Sequence, residues 1–508
     1  MTKLAKNIIY NLLGQFLILA LGFVAVKYIF KQLGEDALGV IYFTTMLNGI
    51  ICVILEMGIC STTVREISSY LKLEPRYISD LIRTFSLFYW SMFVIFGLII
   101  YLLAPIIVEK WINLKTMDTA TAIHVLRVLG ISSLLALPKS LYSSLFQGLE
   151  RMEFNNIIGV STSGLQQLGT ILILAFKGSL FQVAYWFAAC YIFGILIYFI
   201  ISKYFFSLQA LLPVISFNVI KRNWKFSSRV MFISITAAIH TQIDKIILGK
   251  LLPIGTLGYY GLAYNTASKG SLFANAISQA AFPSFSAQFK ANNRSGLISQ
   301  YRKMQDFLCF AAIPILAGII FALIPLFSYI LNASISRSLL LPAALLCIGF
   351  YMNVTLYIPY IFSLAVGKPG ISAEQHFYDL IVTLPATIIL TYYLGLIGAS
   401  LSLIFFYFFH YVYALPKICT KCLSIPAREW YLHIIKIFLL AVLTYGLIWT
   451  ILWLADLQNI LFLSLGYIFA SFAFLTGAYF MIGNELKETV SKIIKIIKRS
   501  LIKGIFRA

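Results

Sequence analysis

Lys27-Tyr-Ile-Phe-Lys-Gln-Leu-Gly-Glu-Asp-Ala-Leu-Gly39, continuing Val-Ile-Tyr-Phe-Thr, has a counterpart further along the chain. That counterpart is Lys245-Ile-Ile-Leu-Gly-Lys-Leu-Leu-Pro-Ile-Gly-Thr-Leu-Gly258, continuing Tyr-Tyr-Gly-Leu-Ala. Each copy has a lysine near the end of a long apolar run, a short turn, then Leu-Gly and an aromatic that open the next run. What the pair means depends on how many apolar runs lie between the copies.

The chain has 508 residues, 60% hydrophobic and only 11% charged, against roughly 25% charged in a soluble domain. One water-facing core cannot bury that much apolar surface, whereas a bilayer solvates it. A helix crosses about 30 Å of hydrocarbon with about 20 apolar residues. Measured that way, the sequence predicts an all-α membrane protein of about fourteen spans: 7–30, 38–62, 84–108, 122–147, 157–176, 182–206, 227–250, 257–282, 306–331, 339–366, 375–394, 397–416, 431–455 and 459–482. The first run reaches Phe30, longer than the 7–15-residue apolar core of a signal peptide, so it reads as an uncleaved span.

The two copies follow the first and seventh spans, and six crossings bring the chain back to the same side. The repeat therefore predicts two parallel, pseudo-symmetric six-helix lobes, 1–210 and 211–425, related by an axis along the membrane normal. Two further spans occupy 426–483, and a basic tail runs over 484–508.

The net charge of +21 raises the question of nucleic acid, but the cations fall between apolar runs and not along one aromatic-laced stripe. That is the positive-inside pattern. The clusters Arg65/Lys72/Arg76/Arg83, Lys221/Arg222/Lys225/Arg229, Lys290/Arg294/Arg302/Lys303 and Lys417/Lys421/Arg428, with the tail, all fall on one side under an even span count. Both termini are then expected in the cytoplasm of a bacterium, the chain lying in its inner membrane. In the tail, Ile493, Ile494, Ile497, Leu501 and Ile505 oppose Lys492, Lys495, Lys498, Arg499 and Lys503. This is the pattern of an amphipathic helix resting on anionic lipid. The longest outside loop runs only from Glu109 to Thr121, so function must reside in the bundle.

Charged and titratable residues at membrane depth are costly and face a cavity or a partner. Candidates at that depth are Lys27, Glu56, Arg127, Lys139, His240, Asp244, Lys245, Lys269, Glu374, His376, Asp379 and His410. Cations dominate the deepest positions, and an interior rich in cations suits an anionic passenger such as a phosphate or pyrophosphate. Lys139 and Lys269 sit well over a turn inside their spans, whereas Lys27 and Lys245 are near enough to an end to snorkel. Asp244 and Lys245 are consecutive, a spacing that points side chains apart on a helix, while His240 and Asp244 share a face. Glu56, His240 and Asp244 are candidates for carrying a coupling ion, against a plainer role as contacts between helices.

Enzymatic readings find little support. The chain lacks G-x-x-x-x-G-K-[ST], H-E-x-x-H and paired D-x-D motifs, so neither nucleotide hydrolysis nor a catalytic metal is expected, and no cofactor is called for. Of seven cysteines most lie in apolar runs, and Cys419-Thr-Lys-Cys422 stands alone without a second pair, weak grounds for metal or redox chemistry.

Several short motifs resemble the bacterial O-antigen and polysaccharide flippases: Asn11-Leu-Leu-Gly14, Phe30-Lys-Gln-Leu-Gly-Glu-Asp-Ala-Leu-Gly39, Leu55-Glu-Met-Gly58 and Val64-Arg-Glu66. Further along, Gln147-Gly-Leu-Glu-Arg151, Asp244-Lys-Ile-Ile-Leu-Gly249 and Leu257-Gly-Tyr-Tyr260 do the same. The match covers about the first 290 residues, and later helices agree chiefly in hydropathy. The family shares a superfamily with multidrug exporters of the MATE type and with lipid II flippases. The resemblance implies two six-helix lobes around a cavity that opens to each face in turn. It also implies a cationic site for the pyrophosphate of an undecaprenyl-linked oligosaccharide, moved to the outer leaflet for surface polysaccharide assembly, with polysaccharide polymerase machinery as a candidate partner. Lys27, Lys139, Lys245 and Lys269 would hold the pyrophosphate, with Arg65 collecting it at the cytoplasmic mouth. A MATE-like multidrug/cation antiporter and a membrane-embedded glycan polymerase or ligase are the alternatives.

Overall fold

Helix boundaries in this chain are set by short polar caps between apolar runs. In the computed structural model, which describes residues 3–368, 370–483 and 486–487, Asp118 accepts from the Thr121 amide, Asn332 from Ile335 and Asn459 from Phe462. Ser179 and Gln182 form a reciprocal capping box. Each satisfies a first-turn N–H that would otherwise meet lipid headgroups unpaired. The basic amphipathic helix expected over 484–508 lies outside the described residues apart from Leu486 and Lys487.

The helices are α1 (Lys3–Glu56), α2 (Ile59–Tyr70), α3 (Pro75–Trp111), α4 (Thr119–Ser133), α5 (Ala136–Gly148), α6 (Met152–Ala175), α7 (Leu180–Ser202), the single turn α8 (Leu208–Leu211) and α9 (Phe217–Leu251). They continue as α10 (Ile254–Ser268), α11 (Leu272–Lys290), α12 (Arg294–Ile330), α13 (Ala333–Ala365), α14 (Gly370–Tyr378), α15 (Leu384–Ile418), α16 (Ala427–Ala441), α17 (Leu447–Leu454) and α18 (Ile460–Met481). The described residues form no strand, only an isolated bridge between Asn113 and Pro253. The fold is all-α, as expected.

Among the described residues eleven helices are long and apolar enough to cross a membrane, where the sequence predicts about fourteen spans. The difference lies mainly in two very long helical segments. Leu17–Glu56 has 40 residues and Gly370–Leu423 has 54, about 60 and 80 Å of helix at 1.5 Å per residue. Each is long enough for two crossings, and each is interrupted by a glycine with positive φ, Gly34 at 87° and Gly395 at 55°. The run expected over 257–282 is divided between α10, a 3₁₀ turn at Lys269–Ser271 and α11.

Two compact units result, Met1–Gly261 and Leu262–Ala508. In the first, α1 packs on α4, α6 and α9, α2 on α5, and α6 on α7. Its core is aromatic: Phe146 stacks on Tyr198 at 5.9 Å and 25°, and Tyr89, fully buried, donates to the Glu56 carbonyl at 3.1 Å. In the second unit α13 is central, packed by α11, α12 and α15. Asp306 of α12 accepts from His433 Nε2 of α16 at 2.8 Å and from the Gly483 amide at 3.0 Å, fastening the last helices to the bundle. Outward faces are apolar and bare: Leu98, Leu102 and Phe472 are 59%, 61% and 73% exposed, and α17 buries no residue. Surfaces like these require lipid as solvent. Inside the helices, hydroxyls such as those of Thr44, Thr63, Thr162 and Thr387 donate to carbonyls one turn back, which satisfies them without water.

Candidate functional site

The first unit contains Lys27, Arg65, Lys139 and Lys245, and the second contains Lys269. Lys139 stands at a break. Its span is not one continuous helix: α4 ends at Ser133 and α5 begins at Ala136. Pro138 explains this, since its ring crowds the carbonyl four residues earlier, at Leu134. Lys139 is thus in the first turn of α5, half-buried, its ammonium 5.8 Å from the Tyr198 ring centre. Among the described residues no carboxylate lies within 4 Å of it. Next to it, Ser140 accepts from Cys60 at 3.3 Å, and Cys60 meets the Tyr89 hydroxyl at 3.5 Å.

Glu56 is the last residue of α1, not an interior residue of a continuous span. The chain passes through Met57 and Gly58, at φ 48° and 69°, before α2 starts. Gly58 is required twice over. Its φ is left-handed, and a Cβ would stand 2.5 Å from the Ser227 carbonyl oxygen of α9. Just beyond this crossing, Thr62 and Ser227 share a hydrogen bond of 2.7 Å.

Arg65 leads into a polar cluster at the same end of the unit. It pairs with the buried Glu66 at 2.5 Å, donates to Asn223 of α9 at 3.1 Å and lies over the Phe226 ring. Tyr77 donates to Glu66 at 2.9 Å and accepts from Asn223 at 2.8 Å. Arg222 binds Glu74 through two nitrogens, at 2.8 and 3.2 Å, and stacks on Tyr77. That hydrogen bond holds the Glu74 carboxyl below the usual carboxylate range. This cluster, here called the inner seal after the side that the charge pattern predicts, joins α2 and α3 to α9.

A second cluster, the outer seal by the same expectation, lies at the other end of the second expected span. A Cβ on Gly39 would lie 2.2 Å from the Ile254 carbonyl oxygen, so the repeated Leu-Gly of the sequence marks a backbone-to-backbone approach. Tyr259 donates to Glu35 at 2.7 Å. The Ile254 amide donates to the Asn113 carbonyl at 3.0 Å, and the Asn113 side chain to the Lys250 carbonyl at 3.0 Å. Asp36 gathers the amides of Lys115, Thr116 and Met117 at 2.7, 2.6 and 3.0 Å.

Lys245 and Asp244 meet despite being consecutive. The lysine stem curls back so that Nζ reaches the Thr241 carbonyl at 2.5 Å and Asp244 at 3.3 Å. Asp244 also accepts from Tyr260 at 2.7 Å. Adjacent positions diverge at Cα, yet a four-carbon stem spans that divergence. Lys27 is half-buried at the end of the first apolar run, and the His240 side chain lies outside the described residues. Lys269 is not deep in a continuous helix but opens the 3₁₀ turn, a local departure that often marks a hinge or strain.

In the second unit Asp379, fully buried in a π-helical segment, is 3.0 Å from His410 Nε2 and 3.5 Å from His376 Nδ1. These three were legible as charges at depth, but their convergence was not. Asn223 and Tyr77 also escaped sequence reasoning. Asn223 is one polar residue inside a basic run, and nothing in its spacing announces the seal.

Comparison with known proteins fits this architecture. The family model described as "Polysaccharide biosynthesis protein" matches residues 4–289. A Shigella flexneri protein named for O-antigen transport is 21% identical over 411 residues, covering 79% of this chain and 94% of that one. Among solved structures, the lipid II flippase MurJ in an inward closed conformation superposes with a TM-score of 0.69 at 15% identity, over 93% of this chain and 99% of that one. An inward-facing multidrug resistance MATE family transporter of the MOP superfamily gives 0.63 at 15% identity, over 79% and 95%. With a family match over more than half its length, on a fold shared with flippases and MATE transporters, the chain belongs to the polysaccharide biosynthesis protein family.

Proposed function

We propose that this protein flips a lipid-linked oligosaccharide, an undecaprenyl-pyrophosphate glycan, from the cytoplasmic to the outer leaflet by alternating access. The observation that carries the reading is Lys139: a half-buried ammonium at membrane depth with no carboxylate within 4 Å among the described residues, in a chain of this family. A cation in that setting is stabilised by an anionic passenger. Arg65, at the inner seal, would meet the pyrophosphate first, and Lys27, Lys245 and Lys269 would complete its path. Glu56, His240 and Asp244 are the proposed ion-coupling groups. The carriage of Asp244 by Lys245 and Tyr260 supports a role in which one proton or cation rearranges several partners.

Six spans in 1–210, six in 211–425 and two in 426–483, with both termini in the cytoplasm of the inner membrane, are the proposed topology. The basic tail of 484–508 would rest on anionic lipid, and polymerase machinery would take the cargo after release. No catalysis is assigned. Transport of a cationic drug is the weaker reading, because such a cargo favours net carboxylates in the cavity.

The test is export in cells whose own transporter is deleted. Lys139→Ala and Arg65→Ala, at normal protein levels, are expected to lower surface glycan at least about tenfold, the cost of about 1.4 kcal/mol of lost cargo binding. Unchanged export in both sinks the site assignment. Accumulation of a cationic dye by vesicles carrying this protein, without glycan export, would favour the drug antiporter.

A further inference from the structure

We propose that the second unit carries a separate binding site for the phosphate of a membrane lipid, built where three connecting segments converge. A cavity of about 390 Å³ is lined by Arg294 at the start of α12, Lys368 after α13, and Lys421 before α16, with Asn292 and Asn293 at its rim. The three cations come from three distant stretches of sequence. All fall on the side that the proposed topology makes cytoplasmic. A cytoplasmic bias alone accounts for basic connections, but not for three distant helix ends each lining one cavity with a cation.

The loops are built to hold that arrangement. Asn292 and Ser424 take left-handed backbone conformations, at φ 52° and 56°, which turn the chain sharply at either side. The Lys368 ammonium donates to the Lys421 carbonyl, tying two of the segments together. Asn293 caps α12 by accepting from the Gly296 amide at 3.0 Å, and the first turn of that 37-residue helix adds partial positive charge to the cavity. Among the described residues none of the three cations has a carboxylate within 4 Å. Glu374, the acid closest in sequence to Lys368, is bound by Lys417 at 2.9 Å and lies within electrostatic reach of Lys421 without pairing with it.

Three like charges around one cavity repel, and an anion with several acceptor oxygens relieves that repulsion. The remaining wall decides which anion. The exposed Phe289 and the half-buried Ile298, backed by the buried Leu297, Phe362 and Val366, give an apolar edge that a free phosphate would leave unused and a lipid chain would cover. The ligand chemistry is therefore a phosphate ester on a hydrocarbon chain. It can come from a resident anionic phospholipid or from the carried polyprenyl pyrophosphate. Only the second source rests on the flippase reading.

Amide hydrogen exchange of the full-length protein in nanodiscs tests this. The base lipid is phosphatidylcholine, alone or with one part in ten of phosphatidylglycerol or of undecaprenyl pyrophosphate. An added anionic lipid should slow exchange over residues 288–298, 364–372 and 419–425 by about fivefold or more, as preferential binding to the closed state requires. Arg294→Gln/Lys368→Gln/Lys421→Gln should abolish the effect. Lys368→Gln alone should weaken it, and Lys177→Gln, on an outer loop, should leave it intact. Protection by phosphatidylglycerol identifies a resident lipid whatever the protein transports; protection by undecaprenyl pyrophosphate alone identifies the cargo. No protection by either lipid, or equal protection in the triple variant, overturns the site. Protection by inorganic phosphate in phosphatidylcholine nanodiscs, matching that by lipid, overturns the lipid assignment.

Discussion

Gly58 and Gly39 were visible in the sequence only as letters in short motifs; their reasons appear at atomic scale. Gly58 combines a left-handed φ with a carbonyl oxygen where its Cβ would go. Gly58→Ala should therefore add strain of about 1–2 kcal/mol and push α9 away from α2. The readout is labelling of Ser227→Cys by a maleimide, in a background without native cysteines. Several-fold faster labelling in the Gly58→Ala protein is expected, and an unchanged rate would show that the crossing does not depend on this glycine. Lys139 teaches a related lesson. Its depth could be read from hydropathy and the nearby Pro138 was in plain view, but a span ruler treats 122–147 as one rod. The Asp244–Lys245 contact was missed for a different reason: helical spacing fixes where Cβ points and not where a long side chain ends.

At the scale of elements, hydropathy found the helices and the sequence repeat located the outer seal. Helix interruptions inside the expected spans were the part least legible. Gly34 and Gly395 fall between expected spans, 7–30 and 38–62 and then 375–394 and 397–416, so those two breaks were readable. The break between Ser133 and Ala136 inside 122–147 and the 3₁₀ turn inside 257–282 were not, because no polar loop marks them. The fastening of the last helices was equally hidden, because Asp306 belongs to α12 and its two partners lie far along the chain. Asp306→Ala removes an acceptor from the His433 ring and the Gly483 amide together. With partly buried donors left unpaired, the cost should be about 1–3 kcal/mol. Hydrogen exchange should accelerate in 427–441 and 479–483 while 75–148 keeps its protection. Uniform acceleration throughout the chain would instead point to global destabilisation, and no change would mean that lipid contact alone holds these helices.

For the whole molecule the informative fact is that the first unit forms both contact clusters at once. The strength of the inner one can be bounded. The Arg222–Glu74 pair is exposed, and such pairs contribute about 0–1 kcal/mol. The Thr62–Ser227 hydrogen bond contributes about 1 kcal/mol and the charged Arg65–Asn223 bond about 1.5–3 kcal/mol. A seal of this kind amounts to a few kcal/mol, against the roughly 5.5 kcal/mol of differential binding that converts a 1:99 population to 99:1. A cargo with several charge-assisted contacts can therefore open one seal, provided it need not open both. Both seals are then obligatory moving parts. Paired cysteines at Thr62 and Ser227, or at Glu35 and Gly255, where a Cβ on the glycine would stand against the Glu35 Cβ, should form disulfides under oxidation in a background without the native cysteines. Either link should stop glycan export, and a reducing agent should restore it to the rate of the unlinked protein. If export continues at full rate with either pair verifiably cross-linked, that seal stays closed throughout the cycle and the passage lies elsewhere in the bundle.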